Sequence, residues 1–165
     1  NQSFSEAVGQ PRRSFSDSGL SGQIMLFQGE DIKQLIPQRE PIMMVDMFTL
    51  GEDEKVAAAT GLTVAATNIF VQDNHLREPG IIEHVAQSAA ALAGYTTFQQ
   101  GLPPQLGYIG EIKKFHIHRL PCVGDTLHTT LHVLGTAMGI TLLAAEVRVA
   151  DEVVAEGQMK IYLKG

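Results

Sequence analysis

The sequence predicts an α+β domain in which an antiparallel sheet covers a single long central helix. Three observations predict it: one helix-length apolar segment, four strand-length segments after it, and hairpin-length connections between those segments. Strands joined by such short connections pair antiparallel with their neighbours. A half-buried antiparallel sheet needs a second layer against its apolar face, and the lone helix supplies that layer.

The composition is that of one globular domain with few charges. The chain has 165 residues, of which 44% are hydrophobic and 18% charged, and its formal net charge is -6. We do not expect an acidic chain of this kind to bind nucleic acid. We also expect no membrane span, because no segment approaches the roughly 18 apolar residues that a spanning helix needs. Cys122 is the single cysteine, which fits a reducing compartment, the cytoplasm.

The chain divides into two parts by composition. Residues 1–24 are rich in Ser, Gly and Gln, too polar to compensate for the entropy lost on ordering, and we interpret them as a polar extension. Residues 25–165 carry the periodic apolar patterns and form the folded domain.

The elements before the helix are short. Residues 31–35 predict one or two helical turns that end before Pro37, because a residue preceding proline avoids the helical region. Two strands are predicted at residues 42–50 and 55–64. After the helix, strands are predicted at residues 106–119, 125–138, 140–150 and 153–164. The last strand alternates apolar and polar residues, which predicts one covered face and one solvent-exposed face.

The long helix is predicted over residues 79–99, opening at Pro79-Gly80 and ending near Gly101. Apolar residues cover most of its circumference, whereas a surface helix has a polar face. We therefore expect the helix to be buried on nearly all sides. One sheet achieves this only by curling around the helix, and a dimer would help to cover what remains.

The few polar residues on this helix are informative. Glu83 and Gln87 are four residues apart and share one stripe of the helix surface. Small residues continue that stripe and suggest a narrow channel beside the carboxyl group: Ala90, Ala91 and Gly94. Alternatively, Glu83 only stabilises the first helical turn, where a carboxylate interacts favourably with the helix dipole. His84 points elsewhere and is interpreted as a packed or interface histidine.

Four histidines lie on two predicted strands and would gather if those strands paired. A zinc or copper site is then conceivable. The solvent face of a sheet is the ordinary place for such residues, and neither a carboxylate nor a thiol joins them at ligand spacing. We therefore predict no metal site at these residues: His116, His118, His128 and His132.

Three motifs follow one another along the chain. Residues 35–46 read LIPQREPIMMVD, residues 79–87 read PGIIEHVAQ, and residues 120–127 read LPCVGDTL. They resemble, in the same order, the Leu-Pro-His-Arg-x-Pro-x-x-x-x-Asp segment, the Glu-x-x-Ala-Gln helix and the Pro-Gly-Asp-x-Leu turn of the 3-hydroxyacyl-[acyl carrier protein] dehydratases. Gln38 stands where the family has its early histidine. The resemblance covers about residues 31–164.

This resemblance implies the hotdog fold, in which a curved antiparallel sheet wraps a long central helix and two protomers form a continuous sheet. It implies removal of water from a 3-hydroxyacyl thioester, carried by an acyl carrier protein or coenzyme A, to give the trans-2-enoyl thioester without a metal or redox cofactor. The short loop before the helix resembles the dehydratases of aryl-polyene and flexirubin pathways.

The resemblance also implies roles for individual residues. In the family, the helix carboxylate protonates the departing hydroxyl and a histidine on the preceding loop, from the opposite subunit, removes the C2 proton. Glu83 matches the acid, and burial among apolar side chains favours a protonated carboxyl. His75 is our candidate base, although it lies only eight residues before Glu83 and lacks the family's Gly-His-Phe-Pro-Gly surroundings. A solvent-exposed loop histidine is the alternative.

Two further residues complete the predicted site. Gly80, at the start of the helix, is expected to donate its backbone N–H to the enolate oxygen. Gln87 is expected to orient Glu83, with Ala90, Ala91 and Gly94 lining the acyl channel.

Lys113, Lys114 and Arg119 form the densest basic patch and would steer an acidic carrier protein or a coenzyme A phosphate. A solvated strand is the alternative reading of this patch.

Two other functions remain open. A hotdog thioesterase would use the same helix carboxylate to activate water and would release free thiol. A non-catalytic subunit would bind acyl chains without turnover, or would turn them over only together with a sister protein, and the missing histidine motif favours this second alternative.

Overall fold

The computed structural model describes residues 12–15, 23–51, 55–103 and 108–162. Ten strands, one 3₁₀ helix and one α-helix occur in this described part. Their bounds are β1 Arg12–Phe15, β2 Gln23–Gln28, the 3₁₀ helix Gly29–Gln34, β3 Met47–Leu50, β4 Val56–Thr63, β5 Val71–Gln72, β6 His75–Leu76, α1 Glu78–Gln99, β7 Tyr108–Ile117, β8 Thr126–Ala137, β9 Ile140–Val149 and β10 Glu152–Tyr162.

Eight of the described strands form one antiparallel sheet in the order β1-β2-β3-β4-β8-β9-β10-β7, and β5 and β6 form a separate hairpin. Helix α1 packs against the sheet at β4, β7, β8 and β10. The α+β prediction of one long helix covered by an antiparallel sheet is thereby confirmed. No helix in the described ranges is both long enough and apolar enough to cross a membrane.

Helix α1 is buried along most of its length, as its apolar sequence predicts. None of its residues from Gly80 to Tyr95 is exposed. At Gly94 the backbone of Leu35 approaches so closely that a β-carbon would overlap the Leu35 carbonyl oxygen. The only exposed positions lie near the two ends of the helix, at Glu78, Pro79, Thr96 and Gln99. The sheet and the 3₁₀ helix therefore cover most of the helix within a single chain.

Part of the N-terminal segment that is predicted as a polar extension forms a strand. Residues 12–15 form β1, which pairs antiparallel with β2 at one edge of the sheet. Strand β2 starts at Gln23, within the predicted extension. The rest of residues 1–22 lies outside the described part of the chain.

The segment before β3 also departs from its prediction. A strand is expected over residues 42–50, but β3 begins only at Met47. The reason lies at Met44, whose N–H donates to Oε1 of Gln87 at 2.6 Å and whose carbonyl oxygen accepts from Nδ1 of His84 at 2.7 Å. Because both backbone groups bond to helix side chains, Met44 cannot also join a ladder of strands.

Two threonines hold the opposite side of the helix. Thr60 and Thr129 are paired across β4 and β8, and both are fully buried. The Thr60 hydroxyl lies 2.7 Å from Oγ of Ser88, and the Thr129 hydroxyl lies 2.8 Å from Nε2 of His84. These bonds satisfy polar groups that would otherwise be buried at a cost of about 1–3 kcal/mol each.

His84 is fully buried, which agrees with its interpretation as a packed histidine. Burial lowers its pKa from the ordinary 6.5 to about 4, against smaller opposing effects of the Met44 carbonyl and Asp46. The ring is therefore neutral near neutral pH. Since the Met44 carbonyl can only accept, Nδ1 carries the proton, and Nε2 accepts from the hydroxyl of Thr129.

This buried imidazole predicts a specific pH dependence of stability. Between pH 6.5 and about 4 the unfolded chain protonates His84 and the folded chain does not. The unfolded state therefore binds more protons, and the free energy of unfolding falls by about 3 kcal/mol as the pH drops through this window. Urea denaturation from pH 4 to 7.5 measures it, and His84→Gln should lose this part of the dependence. The exposed His128 gives the control variant His128→Gln, which should retain it; an unchanged profile in His84→Gln contradicts the assignment.

Candidate active site

The side chains of Glu83 and Gln87 lie together on α1, as their spacing predicts. Nε2 of Gln87 donates to Oε2 of Glu83 at 2.8 Å and to the carbonyl oxygen of Ile42 at 2.9 Å, while its Oε1 accepts from Met44 N–H. Every hydrogen-bonding group of the amide is thus used. Only one orientation of the amide is possible, because a flipped amide would place its NH₂ group against the Met44 N–H. Glu83 is held through Oε2, and Oε1 makes no hydrogen bond to another residue in the described ranges.

The first two sequence motifs meet at this carboxylate. Ile42 and Met44 belong to the segment that precedes β3, and both bond to Gln87 on α1. Asp46, at the end of the same motif, accepts from the N–H of Thr63 at 2.9 Å and so fixes the segment to β4. The first motif therefore supports the helix motif rather than supplying a reacting group of its own.

Glu83 lies on the side of α1 that the sheet covers least. Glu83 itself is half-buried, and so are Ile82 and Ala86 beside it. Ile42, whose carbonyl bonds to Gln87, exposes 45% of its surface. Glu83 is therefore neither fully buried nor fully exposed, and two apolar residues beside it on the helix share this partial exposure.

His75 lies in a tight hairpin rather than in an open loop. Strands β5 and β6 are joined by Asp73 and Asn74, with φ values of 53° and 64°, the positive values of a type I′ turn. Nδ1 of His75 lies 2.8 Å from the Asp73 carbonyl oxygen. Because a carbonyl oxygen only accepts, Nδ1 carries the proton and Nε2 presents a lone pair, the form that a general base requires.

The third motif supports this hairpin. Cys122 forms an isolated β-bridge with His75, and Leu76 N–H donates to the Pro121 carbonyl at 2.8 Å. The turn is closed by Asp125, whose Oδ2 accepts from Cys122 N–H at 2.8 Å. The position of His75 is thus fixed from two sides. No hydrogen bond between described residues joins His75 to Glu83.

The N–H of Gly80 is already bonded in this chain. It donates to the carbonyl oxygen of Arg77 at 2.9 Å, so it is not the free donor that the sequence predicts. A β-carbon at Gly80 would overlap Phe70 and Leu76, so close packing explains the glycine. A role for Gly80 as oxyanion donor would require the bond to Arg77 to be shared, and that role stays a prediction.

The stripe of small residues beyond Gln87 is also explained in part by packing. Ala91 is fully buried, and Leu35 occupies the space beside Gly94. Neither residue borders an open channel in the single chain. Ala90 is buried as well, with 8% of its surface exposed, and the role of the three residues in lining the acyl channel stays a prediction.

The three residues of the basic patch differ in their surroundings. Arg119 pairs with Glu152 at 3.1 Å and lies 3.9 Å from Asp125, and the hydrogen bond to Glu152 raises its pKa. Lys113 and Lys114 make no ion pair to another described residue. A β-bulge opposite Gly157 interrupts β7 just after Lys113, and Lys114 has a φ of 51°. The bulge breaks the alternation of faces at this point.

The two strands that carry His116, His118, His128 and His132 do not pair with each other. Strands β9 and β10 lie between β7 and β8. His116 and His132 nevertheless border one groove of about 330 Å³ on the outer face, together with Lys114, whereas His118 bonds to Glu156 at 2.8 Å. In the described ranges no three His, Cys, Asp or Glu side chains lie close enough to hold one metal ion.

Sequence reasoning missed the supporting roles of Met44, Thr129 and Asn68. Nδ2 of Asn68 lies 3.2 Å from the sulfur of Met44. The side chain of Met44 is therefore held in place as well as its backbone. A signal for Thr129 was present in the alternation of β8, which places it between the buried Leu127 and Leu131 on the inner face. A buried hydroxyl needs a partner on the helix, and His84 is the partner that it finds.

Several known proteins with similar sequences are named as dehydratases. The 3-hydroxyacyl-[acyl-carrier-protein] dehydratase FabZ of Wolinella succinogenes is 30% identical over 146 residues, which cover 82% of this chain and 95% of the relative. FabZ of Ruminiclostridium cellulolyticum is 28% identical over 145 residues, covering 84% and 98% of the two chains.

Solved structures show the same architecture at low identity. A chain of the dehydratase heterocomplex ApeI:P from Xenorhabdus doucetiae superposes with a TM-score of 0.66 at 15% identity, covering 81% of this chain and 91% of that one. The PaaI protein of Escherichia coli gives a TM-score of 0.53 at 18% identity, covering 72% and 81%. These likenesses confirm the hotdog fold.

The family model described as ApeP dehydratase, of the ApeP-like family, matches residues 30–164. This match runs from the 3₁₀ helix past the end of β10 and includes all three motifs. The chain therefore belongs to the ApeP-like dehydratases, which confirms the relationship that the sequence motifs imply.

Proposed function

We propose a residue-level mechanism for the reaction that family membership indicates, dehydration of a 3-hydroxyacyl thioester on an acyl carrier protein. Nε2 of His75 removes the proton from C2, and the electrons of that C–H bond move to the thioester carbonyl oxygen to form an enolate. As the enolate collapses, its electrons form the C2–C3 double bond and the C3–O bond breaks. Glu83 gives its proton to the C3 hydroxyl, which leaves as water. His75 ends protonated and Glu83 ionised, and proton exchange with solvent restores both.

The observation that carries this proposal is the state of Glu83. It is a half-buried carboxyl group on an otherwise largely buried helix, with Oε2 held by Gln87 and Oε1 without a bond to any described residue. Because Oε2 accepts the Gln87 N–H, a proton on the carboxyl belongs on Oε1. That oxygen is the one that faces a substrate, so the geometry suits a general acid.

We propose that the site is completed by a second chain. His75 makes no bond to Glu83 in the described residues, and the family resemblance assigns the two groups to opposite subunits. Strand β7 ends the sheet at the edge opposite β1, where another chain can continue it. A homodimer is the simplest such arrangement. A dehydratase partner of a different sequence is the alternative, favoured by the heterocomplex named for the ApeI:P structure.

We also propose that the substrate arrives on an acyl carrier protein in the cytoplasm, the compartment in which a free Cys122 stays reduced. Within the predicted basic patch, Lys113 and Lys114 are the residues available for docking, since neither is neutralised by a described carboxylate. Arg119 contributes less to that surface, because Glu152 balances its charge.

Glu83→Gln should lower the rate of dehydration by about 10²–10⁴-fold, the usual contribution of a general acid. The change keeps the size of the side chain, so the melting temperature should stay close to that of the unsubstituted chain. Hydration of a crotonyl-type thioester, followed by loss of enoyl absorbance, gives the rate. Glu78→Gln is the matched control, because Glu78 is an exposed glutamate one turn earlier.

Each alternative function predicts a different result in the same assay. Free thiol, detected with a thiol-reactive dye, would identify a thioesterase. Turnover only after addition of a second dehydratase subunit would identify an obligate heterocomplex. Full activity of Glu83→Gln would contradict the acid assignment in every arrangement.

His75→Gln should abolish base catalysis and, with it, exchange of the C2 proton with solvent. In D₂O, Glu83→Gln should still exchange the C2 proton of the 3-hydroxyacyl thioester, because the acid is not needed to form the enolate. Mass spectrometry of recovered substrate measures the exchange. His116→Gln, an exposed histidine on β7, serves as the control. If His75→Gln exchanges as fast as the unsubstituted chain, another group is the base.

The paired substitution Lys113→Glu/Lys114→Glu should raise the KM for a carrier-bound substrate by about three- to tenfold, because it removes electrostatic attraction for an acidic partner. The KM for a small pantetheine thioester should not change. The difference between variant and unsubstituted chain should shrink as salt is added. Equal KM values for the carrier-bound substrate would place docking elsewhere.

A further inference from the structure

An unbroken series of hydrogen bonds runs from the sheet to the carboxylate of Glu83. Thr129 on β8 bonds to the ring of His84, which bonds to the carbonyl of Met44. The N–H of Met44 bonds to Gln87, which bonds to Glu83. The four bonds measure between 2.6 and 2.8 Å, within the range of strong hydrogen bonds.

Each member of this series has its orientation determined by its neighbours. The Met44 carbonyl fixes the proton of His84 on Nδ1, so Nε2 must accept and the hydroxyl of Thr129 must donate. The Gln87 amide is fixed in the same way by Met44 N–H and by two acceptor oxygens. Thr129, His84 and Met44 are fully buried, so no water replaces a missing bond.

The backbone of Met44 links His84 to Gln87, so the position of Gln87 depends on the bond between His84 and Met44. Met44 lies outside any strand, so its backbone has no ladder to hold it. With the bond from His84 removed, the Met44 carbonyl would be buried without a partner, and the segment would shift to regain one. Such a shift would move the N–H that fixes Oε1 of Gln87, and through it the carboxylate of Glu83.

We propose that His84 and Thr129 are positioning residues for the general acid Glu83, acting through Met44 and Gln87. Neither touches the substrate, and their effect is to fix the direction in which Oε1 of Glu83 points. The inference rests on the proposed role of Glu83 in dehydration. A displacement of about 1 Å at a reacting group can cost a hundredfold in rate, so small shifts along this series reach catalysis.

The sheet offers a matched comparison for a test. Thr60 and Thr129 are cross-strand partners, fully buried, and each bonds to a polar side chain of α1. Ser88, the partner of Thr60, donates to the carbonyl of His84 within the helix and makes no bond to Met44 or Gln87. A merely structural role predicts equal effects of Thr60→Val and Thr129→Val, and a positioning role predicts different effects on kcat.

The experiment measures dehydration by the full chain, together with its partner subunit if one is required, and melting temperature for every variant. Thr129→Val should lower kcat about tenfold with KM changed less than about twofold, because the reacting groups are misaligned but the binding surface is kept. Thr60→Val should lose comparable stability but keep kcat within about twofold. Thr129→Ser, which retains the hydroxyl, should restore kcat.

A double-mutant cycle tests the route through Gln87. If Thr129 acts through this amide, adding Thr129→Val to Gln87→Ala should cause no further loss of kcat. Should Thr129→Val fail to fold, Thr129→Cys against Thr129→Ser makes the same comparison, because a thiol is a weak donor.

Three outcomes would overturn the proposal: equal kcat in Thr129→Val and Thr60→Val, failure of Thr129→Ser to restore the rate, or additive effects in the cycle. Each of these leaves the role of Glu83 in place. Full activity of Glu83→Gln, or absence of turnover by the unsubstituted chain and its partner, would instead overturn the proposed function and this role with it.

Discussion

The backbone of Met44 is bonded on both sides to side chains of the central helix, and much of the site depends on that contact. The buried polar groups of this helix have no water to satisfy them, so each must find a protein partner or incur a penalty of several kcal/mol. Gln87 and His84 find theirs in the N–H and the carbonyl of one residue. The helix, the segment before β3 and the carboxylate are thereby held as one unit.

Two of the three sequence motifs contact each other, and the third supports the hairpin that carries His75. The segment with Ile42 and Met44 orients Gln87, and Gln87 orients Glu83. The turn with Cys122 supports His75. The acid and the candidate base are thus each braced by a segment distant in sequence, and neither depends on a long flexible loop. A short hairpin before the helix suffices for His75 because that turn supports it from outside.

Much of the fold could be predicted from sequence, and the site only in part. Apolar periodicity and hairpin-length connections fixed the four late strands and α1 to within a few residues, because burial drives those patterns. The strand expected at residues 42–50 is shorter because side chains of α1 bond to the backbone of Met44. This is a tertiary effect, and the local sequence around Met44 does not reveal it. The pairing of Glu83 with Gln87 followed from helical spacing, whereas the bond from Thr129 to His84 joins residues 45 positions apart. The packing at Gly80 and Gly94 likewise depends on contacts with other segments of the chain.

The distribution of charge bears on how this acidic chain would receive the acidic carrier that we propose as its partner. A formal charge of -6 repels such a partner at long range, so attraction must come from cations that are not already neutralised. Lys33, Arg77, Arg119, Arg148 and Lys160 each lie against a carboxylate. Lys113 and Lys114 have no such partner in the described part of the chain, and the bulge in β7 breaks the alternation of faces beside them. They lie on the strand at the sheet edge where we propose that a second chain joins. Carrier docking and subunit pairing would then share one edge, so the partner that completes the site would also help to form the surface that the carrier meets.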